Sequence, residues 1–464
     1  MTQRLIFVFC SILQIAYYQS FANDFVVVRK VNVVGNTRTK EKIIFREMFV
    51  KRNDTLQKEN LETLLETDRK RIFNTNLFIT VKVSSQEFED NQIEINVEVK
   101  ERLYLITLPV FYLADRNFNE WWYDRNHDIR RTIYGVYAKH GNLTGNNDQL
   151  KVRAETGFIP NFEIAYSTPY LDKSLQTTFL AGAFYAINKT MVYRTWQDKF
   201  QFNESEKRQR ERLNFYTVFS RRTGFYQKQS LELSYNQTQI SDTIARLNPN
   251  YFLDGRTQQK YFLVNYSYIY DKRDNRQYAL KGYRTSFQAT KYGLSSKSDI
   301  NLLSLNASFY KYFQIHGRFY ANYGLSVKKS FPKRQPFLQT MGLGYRGDLV
   351  RGYELYVIDG QSFGLVKTNL KYKLFEEIFD LSKFLKIKQF NTLPIAAYFN
   401  TFFDAGYSKN NFPELNNTKF ANKLLVGGGI GLDIVSWYNV VGRLNYSVNG
   451  IGEKRLFFNL SREF

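Results

Sequence analysis

From about residue 132 to the end of the chain, apolar and polar residues alternate in runs of about ten, separated by short polar turns. The runs include TIYGVYAKHG, FEIAYSTPYL, SLELSYNQTQI, RFYANYGLSVKK, FLQTMGLGY, LPIAAYFNTFFDAG and RLFFNLSREF. A period of two puts successive side chains on opposite faces of a strand. In the last run Leu456, Phe458, Leu460 and Phe464 share one face, while Arg455, Asn459, Ser461 and Glu463 share the other. Arg462 interrupts the apolar face only near the strand end, where its long stem reaches an interface. About 16 such strands are expected, each long enough to cross a bilayer when tilted. An even strand number and closure would leave no exposed sheet edge.

Residues 23–103 have a different pattern. FVVVRKVNVVGN reads as a strand ending in a Gly-Asn turn signal. TKEKIIFREMF predicts a helix with Ile43, Ile44 and Met48 on one side. KENLETLLETDRKRIFNT sets Leu61, Leu64, Leu65, Ile72 and Phe73 at helical spacing. LFITVKVSS and QIEINVEVKER then read as two strands. The order β-α-α-β-β gives a small α+β domain that cannot span a membrane. Residues 104–131 read as a connector before a barrel over 132–464. Trp121 and Trp122 within it have two open readings, interfacial anchors or local packing.

Composition sharpens the choice. Of 464 residues, 34 are Tyr, 41 Phe and only 8 Pro. The mean hydropathy of −0.43 suits a soluble protein. It suits a transmembrane barrel equally, because alternate strand residues face a polar lumen. The first residues narrow the choice. Arg4 precedes LIFVFCSILQIA, and Ser20-Phe21-Ala22 is a small-x-small pattern, so residues 1–22 read as a secretory signal peptide. The one cysteine, Cys10, falls inside it, leaving a mature chain without disulfides or thiolate chemistry. The net charge of +22 has three open readings, anionic lipid headgroups, a basic lumen, or a solvated surface with excess Lys; nucleic acid is not an expected partner of an exported chain.

The candidate chemistry lies in two charges on otherwise unfavourable ground. In 393–406, Ala397, Phe399, Thr401, Phe403 and Ala405 form one face; Tyr398, Asn400, Phe402 and Asp404 form the other. With the first face in lipid, Asp404 points into the lumen and needs a cationic partner. Arg351, in the stretch GDLVRGYE, is a candidate, because a guanidinium pairs with a carboxylate through two parallel hydrogen bonds. The strand LLVGGGIGLDIV puts Gly427, Gly429, Gly431 and Asp433 on one face, a wall bare enough for another backbone to lie against it.

These segments carry a family resemblance. Val350, Arg351, Gly352 and Tyr353 resemble the VRGF/Y signature of the outer-membrane barrel superfamily that includes BamA, TamA and FhaC. Phe402, Asp404 and Gly406 resemble its FxDxG motif, and YDKRDN at 270–275 followed by KGYRTSF resembles its D-x-R-D-N and G-Y-R segment. Residues 23–103, with RIFNTNLFITVKV and VEVKER, resemble one POTRA domain. Phe458, Leu460 and the terminal Phe464 resemble the sorting signal of outer-membrane barrels.

The resemblance implies a transmembrane antiparallel β-barrel of 16 strands with one periplasmic POTRA domain. It implies a sixth outer loop that carries Arg351 into the lumen onto Asp404. It implies insertion of outer-membrane proteins, or translocation of polypeptides, without ATP and without a cofactor. The implied partners are unfolded outer-membrane or secreted polypeptides, outer-membrane lipid, and a periplasmic protein or lipoprotein pairing with the POTRA sheet edge. A seam between first and last strands would set TIYGVYAKHG against RLFFNLSREF. Two departures stand out: Lys371 in TNLKYKL replaces the family's second, acidic partner of the arginine, and RQYALKGY lacks the usual Pro. A single POTRA domain points away from general assembly and toward few clients.

The alternative on the same fold is a passive channel or scaffold barrel whose POTRA domain recruits a partner. A barrel hydrolase is a third reading, which the histidines support least. His127, His140 and His316 are the only histidines, none in a G-x-S-x-G context.

Overall fold

This computed structural model describes residues 25–88, 91–169, 171, 176–224, 226–276, 278–295, 298–345, 347–380, 392–436 and 440–461. The expected signal peptide, Cys10 and Phe464 lie outside the described residues. The chain divides into two compact units, one formed by residues up to 108 with 138–151 and 166–169, the other by the remainder.

The N-terminal domain runs β1 (Phe25–Val34), the helix Glu41–Glu47, β2 (Thr55–Gln57), the helix Lys58–Asn74, β3 (Phe78–Glu87) and β4 (Gln92–Glu101). Its sheet has the order β2-β1-β4-β3, with β1 and β4 parallel and the other neighbours antiparallel. Alternation on β4 buries Ile93, Ile95, Val97 and Val99 against Ile43, Ile44, Leu61 and Ile72 of the helices. Two details differ from the sequence reading. The three-residue strand β2 lies between the helices, too short to leave a periodic signal. Phe73 is exposed and not part of the core face, being about 100° round the helix from Ile72. Arg102 reaches over its ring instead. Asp68 is buried beneath this domain's loop and accepts from the Phe49 and Val50 amides at 2.6 and 3.0 Å.

The rest of the chain continues with β5 (Leu105–Leu113), the helix Phe118–Asp124, β6 (Thr132–Gly141), β7 (Gln149–Gly157), β8 (Asn161–Thr168) and β9 (Thr177–Asn188). A small hairpin follows, β10 (Met191–Trp196) and β11 (Lys199–Asn203). Next come β12 (Arg210–Gly224), β13 (Gln227–Ile240), β14 (Gln258–Asp271), β15 (Gly282–Tyr292), β16 (Leu302–His316) and β17 (Phe319–Phe331). A second small ladder joins β18 (Met341–Leu343) to β19 (Ile358–Asp359). The last strands are β20 (Ser362–Asp380), β21 (Thr392–Lys409), β22 (Leu424–Ser436), β23 (Val440–Asn449) and β24 (Lys454–Ser461).

Sixteen of these form one antiparallel sheet in meander order, from β24 at one end to β5 at the other. Among the described residues no ladder joins β24 to β5. The faces are inverted relative to a water-soluble sheet. Phe319, Tyr323, Leu325 and Val327 of β17 are exposed while Ser326 and Ser330 are buried. Leu444, Tyr446 and Val448 of β23 are exposed while Asn445, Ser447 and Asn449 are buried. Apolar outside and polar inside is the pattern of a barrel solvated by lipid.

The strand count equals the expected number, but through two compensating differences. Residues 105–113, expected as part of a connector, form the terminal strand β5. LITLPVFYL hides this because it is apolar on both faces and contains Pro109, a residue tolerated at a sheet edge. The seam strand is therefore β5, and TIYGVYAKHG (β6) is one strand in from it. Conversely, FLQTMGLGY is not a sheet strand. It makes a turn at Phe337–Gln339 and the short β18, all within the loop between β17 and β20. Phe337 and Leu343 are buried in that loop, Leu343 fully.

Candidate functional site: an arginine held inside the barrel

Residues 332–361 connect β17 to β20, and this is the sixth connection on the end of the sheet away from where β5 begins. At its tip Val350–Tyr353 form a β-turn, closed by the Tyr353 amide donating to the Val350 carbonyl at 3.0 Å. Gly352 has φ +96°, a conformation other residues resist. The turn is packed inward: Val350 and Tyr353 are buried with Leu343, Leu365, Phe420 and Leu425. The Tyr353 ring meets Phe420 edge-on at 5.3 Å.

Arg351 leaves this turn and meets Asp404 of β21. Its Nε donates to Oδ2 at 2.8 Å and its Nη2 to Oδ1 at 2.5 Å, a forked pair. The Arg351 amide also donates to Oδ2, at 3.1 Å. Nη1 donates to Asn369 Oδ1 at 2.5 Å and Nη2 to the Thr368 carbonyl at 3.0 Å. Phe402 lies under the guanidinium with its centroid at 4.0 Å. Every guanidinium nitrogen thus has an acceptor, and the carboxylate, with no exposed surface, receives three donors. Phe402 and Asp404 share a face because they are two apart on one strand.

The glycines explain how a loop backbone reaches the wall. A Cβ on Gly427 would sit 1.9 Å from the Arg351 carbonyl oxygen. One on Gly406 would sit 2.6 Å from Val350 Cγ2 and 2.9 Å from Leu343 Cδ1. The turn rests on bare backbone that any side chain would fill.

Lys371 does not occupy the position expected for it. The residue beside Arg351 is Asn369, two positions earlier and so on the same face of β20. Lys371 belongs to a second cluster around Asp433 of β22. Asp433 accepts from Tyr278 OH at 2.8 Å and Asn400 Nδ2 at 2.7 Å. Lys371 Nζ and Arg443 Nε each lie 3.9 Å from its Oδ2. The Lys371 ammonium sits 3.8 Å from the Tyr278 ring centroid. Tyr278 comes from the turn after β14, and YDKRDN builds that turn. Arg273 forks onto Asp271 at 2.8 Å twice; Asp274 Oδ1 accepts the Leu280 amide at 3.0 Å. Asn275 Oδ1 accepts the Tyr278 amide at 3.2 Å. The motif's charges fold a turn, and the turn aims a tyrosine inward. Between the two clusters lies a cavity of about 430 Å³, lined by Arg351, Glu354, Lys371, Asp433 and Arg443 among others.

Sequence reasoning singled out Val350, Arg351, Gly352, Tyr353, Phe402, Asp404 and Gly406, and the structure gathers all seven at one place. Phe458 and Leu460 are exposed on β24 and take no part in the Arg351–Asp404 pairing, although Leu460 also touches the cavity. Asn369, Tyr278 and Asp433 went unassigned there. The Gly-x-Gly-x-Gly-x-Asp face of β22 was the one available signal for Asp433.

Residues 142–448 match the Omp85 superfamily domain, and residues 26–102 match POTRA, described as a surface antigen variable number repeat. The chain belongs to the Omp85 superfamily. It is 29% identical over 159 residues to the outer membrane protein assembly factor BamA of Neorickettsia risticii (strain Illinois). That match covers 34% of this chain and 19% of the relative's length. In fold it is similar to BamA from Haemophilus ducreyi lacking POTRA domains 1–3, with TM-score 0.66 at 16% identity over 94% of this chain and 85% of the other. CdiB from Escherichia coli gives TM-score 0.52 at 12% identity, covering 94% and 75%. An Omp85 barrel with a POTRA domain resides in the bacterial outer membrane, with that domain in the periplasm.

Proposed function

We propose that this Omp85 protein inserts outer-membrane proteins, or passes polypeptide clients across the outer membrane, without ATP. The loop 332–361 is the fixed part of the machine, held in the lumen by Arg351 on Asp404. The observation that carries this reading is the threefold-donated, fully buried Asp404 under a loop turn. A loop so fastened narrows the lumen and works against free diffusion through it. An insertion or translocation barrel gains from it, because strand exchange at the seam leaves the interior obstructed. The POTRA sheet ends in β2 and β3, and its longer edge strand β3 receives a partner or client strand by β-augmentation. The chain carries no role as an enzyme in this reading.

The test is depletion of the protein in its own host, followed by proteomics of outer membrane and culture medium. Loss of many barrels marks a general insertase; loss of one or a few proteins marks a dedicated transporter. Unchanged proteomes refute the proposal.

A further inference from the structure

The free edge of β24 is covered by the segment between β5 and β6. On β24 the backbone groups of residues 456 and 458 point away from β23. The Phe458 amide donates to Asn119 Oδ1 at 3.0 Å, and the Leu456 carbonyl accepts from Tyr123 OH at 2.8 Å. Asn119 Nδ2 also reaches Asn459 Oδ1 at 3.4 Å. Both residues sit on the short helix Phe118–Asp124, whose start is fixed by Asn117 Oδ1 accepting the Glu120 amide at 2.8 Å. Phe118 packs edge-on against Phe458 at 5.6 Å.

The same segment grips the lumen loop. Arg116 Nη2 donates to the Glu354 carbonyl at 2.8 Å, and Nη1 to the carbonyls of Tyr356, at 2.9 Å, and Gly344. Its Nε pairs with Glu120 at 3.1 Å, one residue from Asn119. Three loop carbonyls on one side and a strand edge on the other are thus joined through residues 116–123.

We propose that residues 115–124 form a latch on the seam. Asn119 and Tyr123 take the edge groups of β24 that an incoming client strand would pair with, and Arg116 ties this latch to the lumen loop. The inference rests on the insertion or translocation reading. Its physical basis is substitution. Side-chain donors and acceptors satisfy a strand edge as another backbone does, but only at two points. A client strand paired along β24 would form a ladder like that with β23, which runs over eight residue pairs. The latch therefore guards the edge against loose pairing and yields to a strand that matches its length. Pairing at the edge and release of Arg116 from the loop become linked events.

The test uses the full-length protein in planar bilayers and in cells. Asn119→Cys with Asn459→Cys places the only thiols of the mature chain at the latch. Oxidation, verified by gel mobility, is expected to abolish seam opening and complementation, and reduction to restore both. Asn119→Ala with Tyr123→Phe removes both edge bonds and leaves the Arg116 contacts in place. It is expected to raise the frequency of seam openings roughly tenfold, while heat-modifiable gel mobility reports an intact barrel. An oxidised pair that opens and complements like the reduced one overturns the latch. So does a release variant whose openings match wild type. Opening is read without a client, so a depletion experiment that leaves the proteome unchanged sinks the function and not the latch.

Discussion

Arg351→Ala is the most informative single perturbation. It removes both forked bonds to Asp404, leaving that carboxylate with the residue-351 amide alone, at 3.1 Å. It also removes the donors to Asn369 Oδ1 and the Thr368 carbonyl. Breaking a buried pair from one side costs about 3–5 kcal/mol. The cavity of about 430 Å³ beside it can admit water, which keeps the loss from being the sum of every bond. At about 1.4 kcal/mol per factor of ten, the docked-to-undocked ratio of the loop should fall by roughly two to three and a half orders of magnitude. Asp404→Ala should cost a similar amount. The double variant should cost clearly less than the sum, with a coupling of at least about 1.5 kcal/mol, because no charge is then left orphaned. The assay places a single cysteine at Gly347, where an added side chain meets nothing within 4 Å. Its labelling by an impermeant maleimide on whole cells reports loop position, and complementation reports function. Arg351→Ala should change labelling and abolish complementation while the barrel remains heat-modifiable. Wild-type labelling and growth, or strictly additive losses in the double variant, would refute the lock.

Arg351→Lys should rescue only part of this, since lysine has no fork and cannot reach Asn369 and Asp404 together; complementation at limiting expression would show it. Gly427→Val should displace the loop backbone by its Cβ alone and cost about 2–4 kcal/mol in urea unfolding, whereas Gly442→Val, where nothing lies within 4 Å, should be near neutral. Tyr278→Phe leaves Asp433 short of its hydroxyl donor, and should lower the unfolding free energy by about 1–2 kcal/mol without changing loop labelling at Gly347. In the POTRA domain Ile95→Ala opens a cavity in the fully buried core and should cost about 2–5 kcal/mol, read as faster proteolysis of that domain in the full chain.

Much of this architecture was legible because lipid and lumen impose a period of two. Strands such as β17 and β23 carry the alternation openly, and Asp404 was noticeable as a carboxylate in an apolar strand that required a partner. Where a segment faces neither lipid nor lumen in turn, the signal fails. β5 is apolar on both sides, so periodicity could not mark it. FLQTMGLGY alternates, but its apolar residues serve the packing of an inserted loop. Lys371 was assigned to the correct face of β20 at the wrong height, since a shift of two preserves the face while changing the neighbour. Tyr278 could not be read at all. Its place depends on Asp274 and Asn275 capping amides several residues on, which is a property of turn geometry and not of pattern.

The packing of Val350, Tyr353, Leu343 and Phe420 in one buried apolar cluster has a consequence for the whole cell. An outer membrane protects its bacterium by excluding bulky antibiotics and dyes, and each large barrel is a potential breach. On the proposed function the loop 332–361 obstructs the lumen of this one, so overproducing the protein should leave the cell's sensitivity to vancomycin unchanged, which a dilution series on an overexpressing strain would check. The number of copies would then be limited by demand for the protein's work and not by leakage.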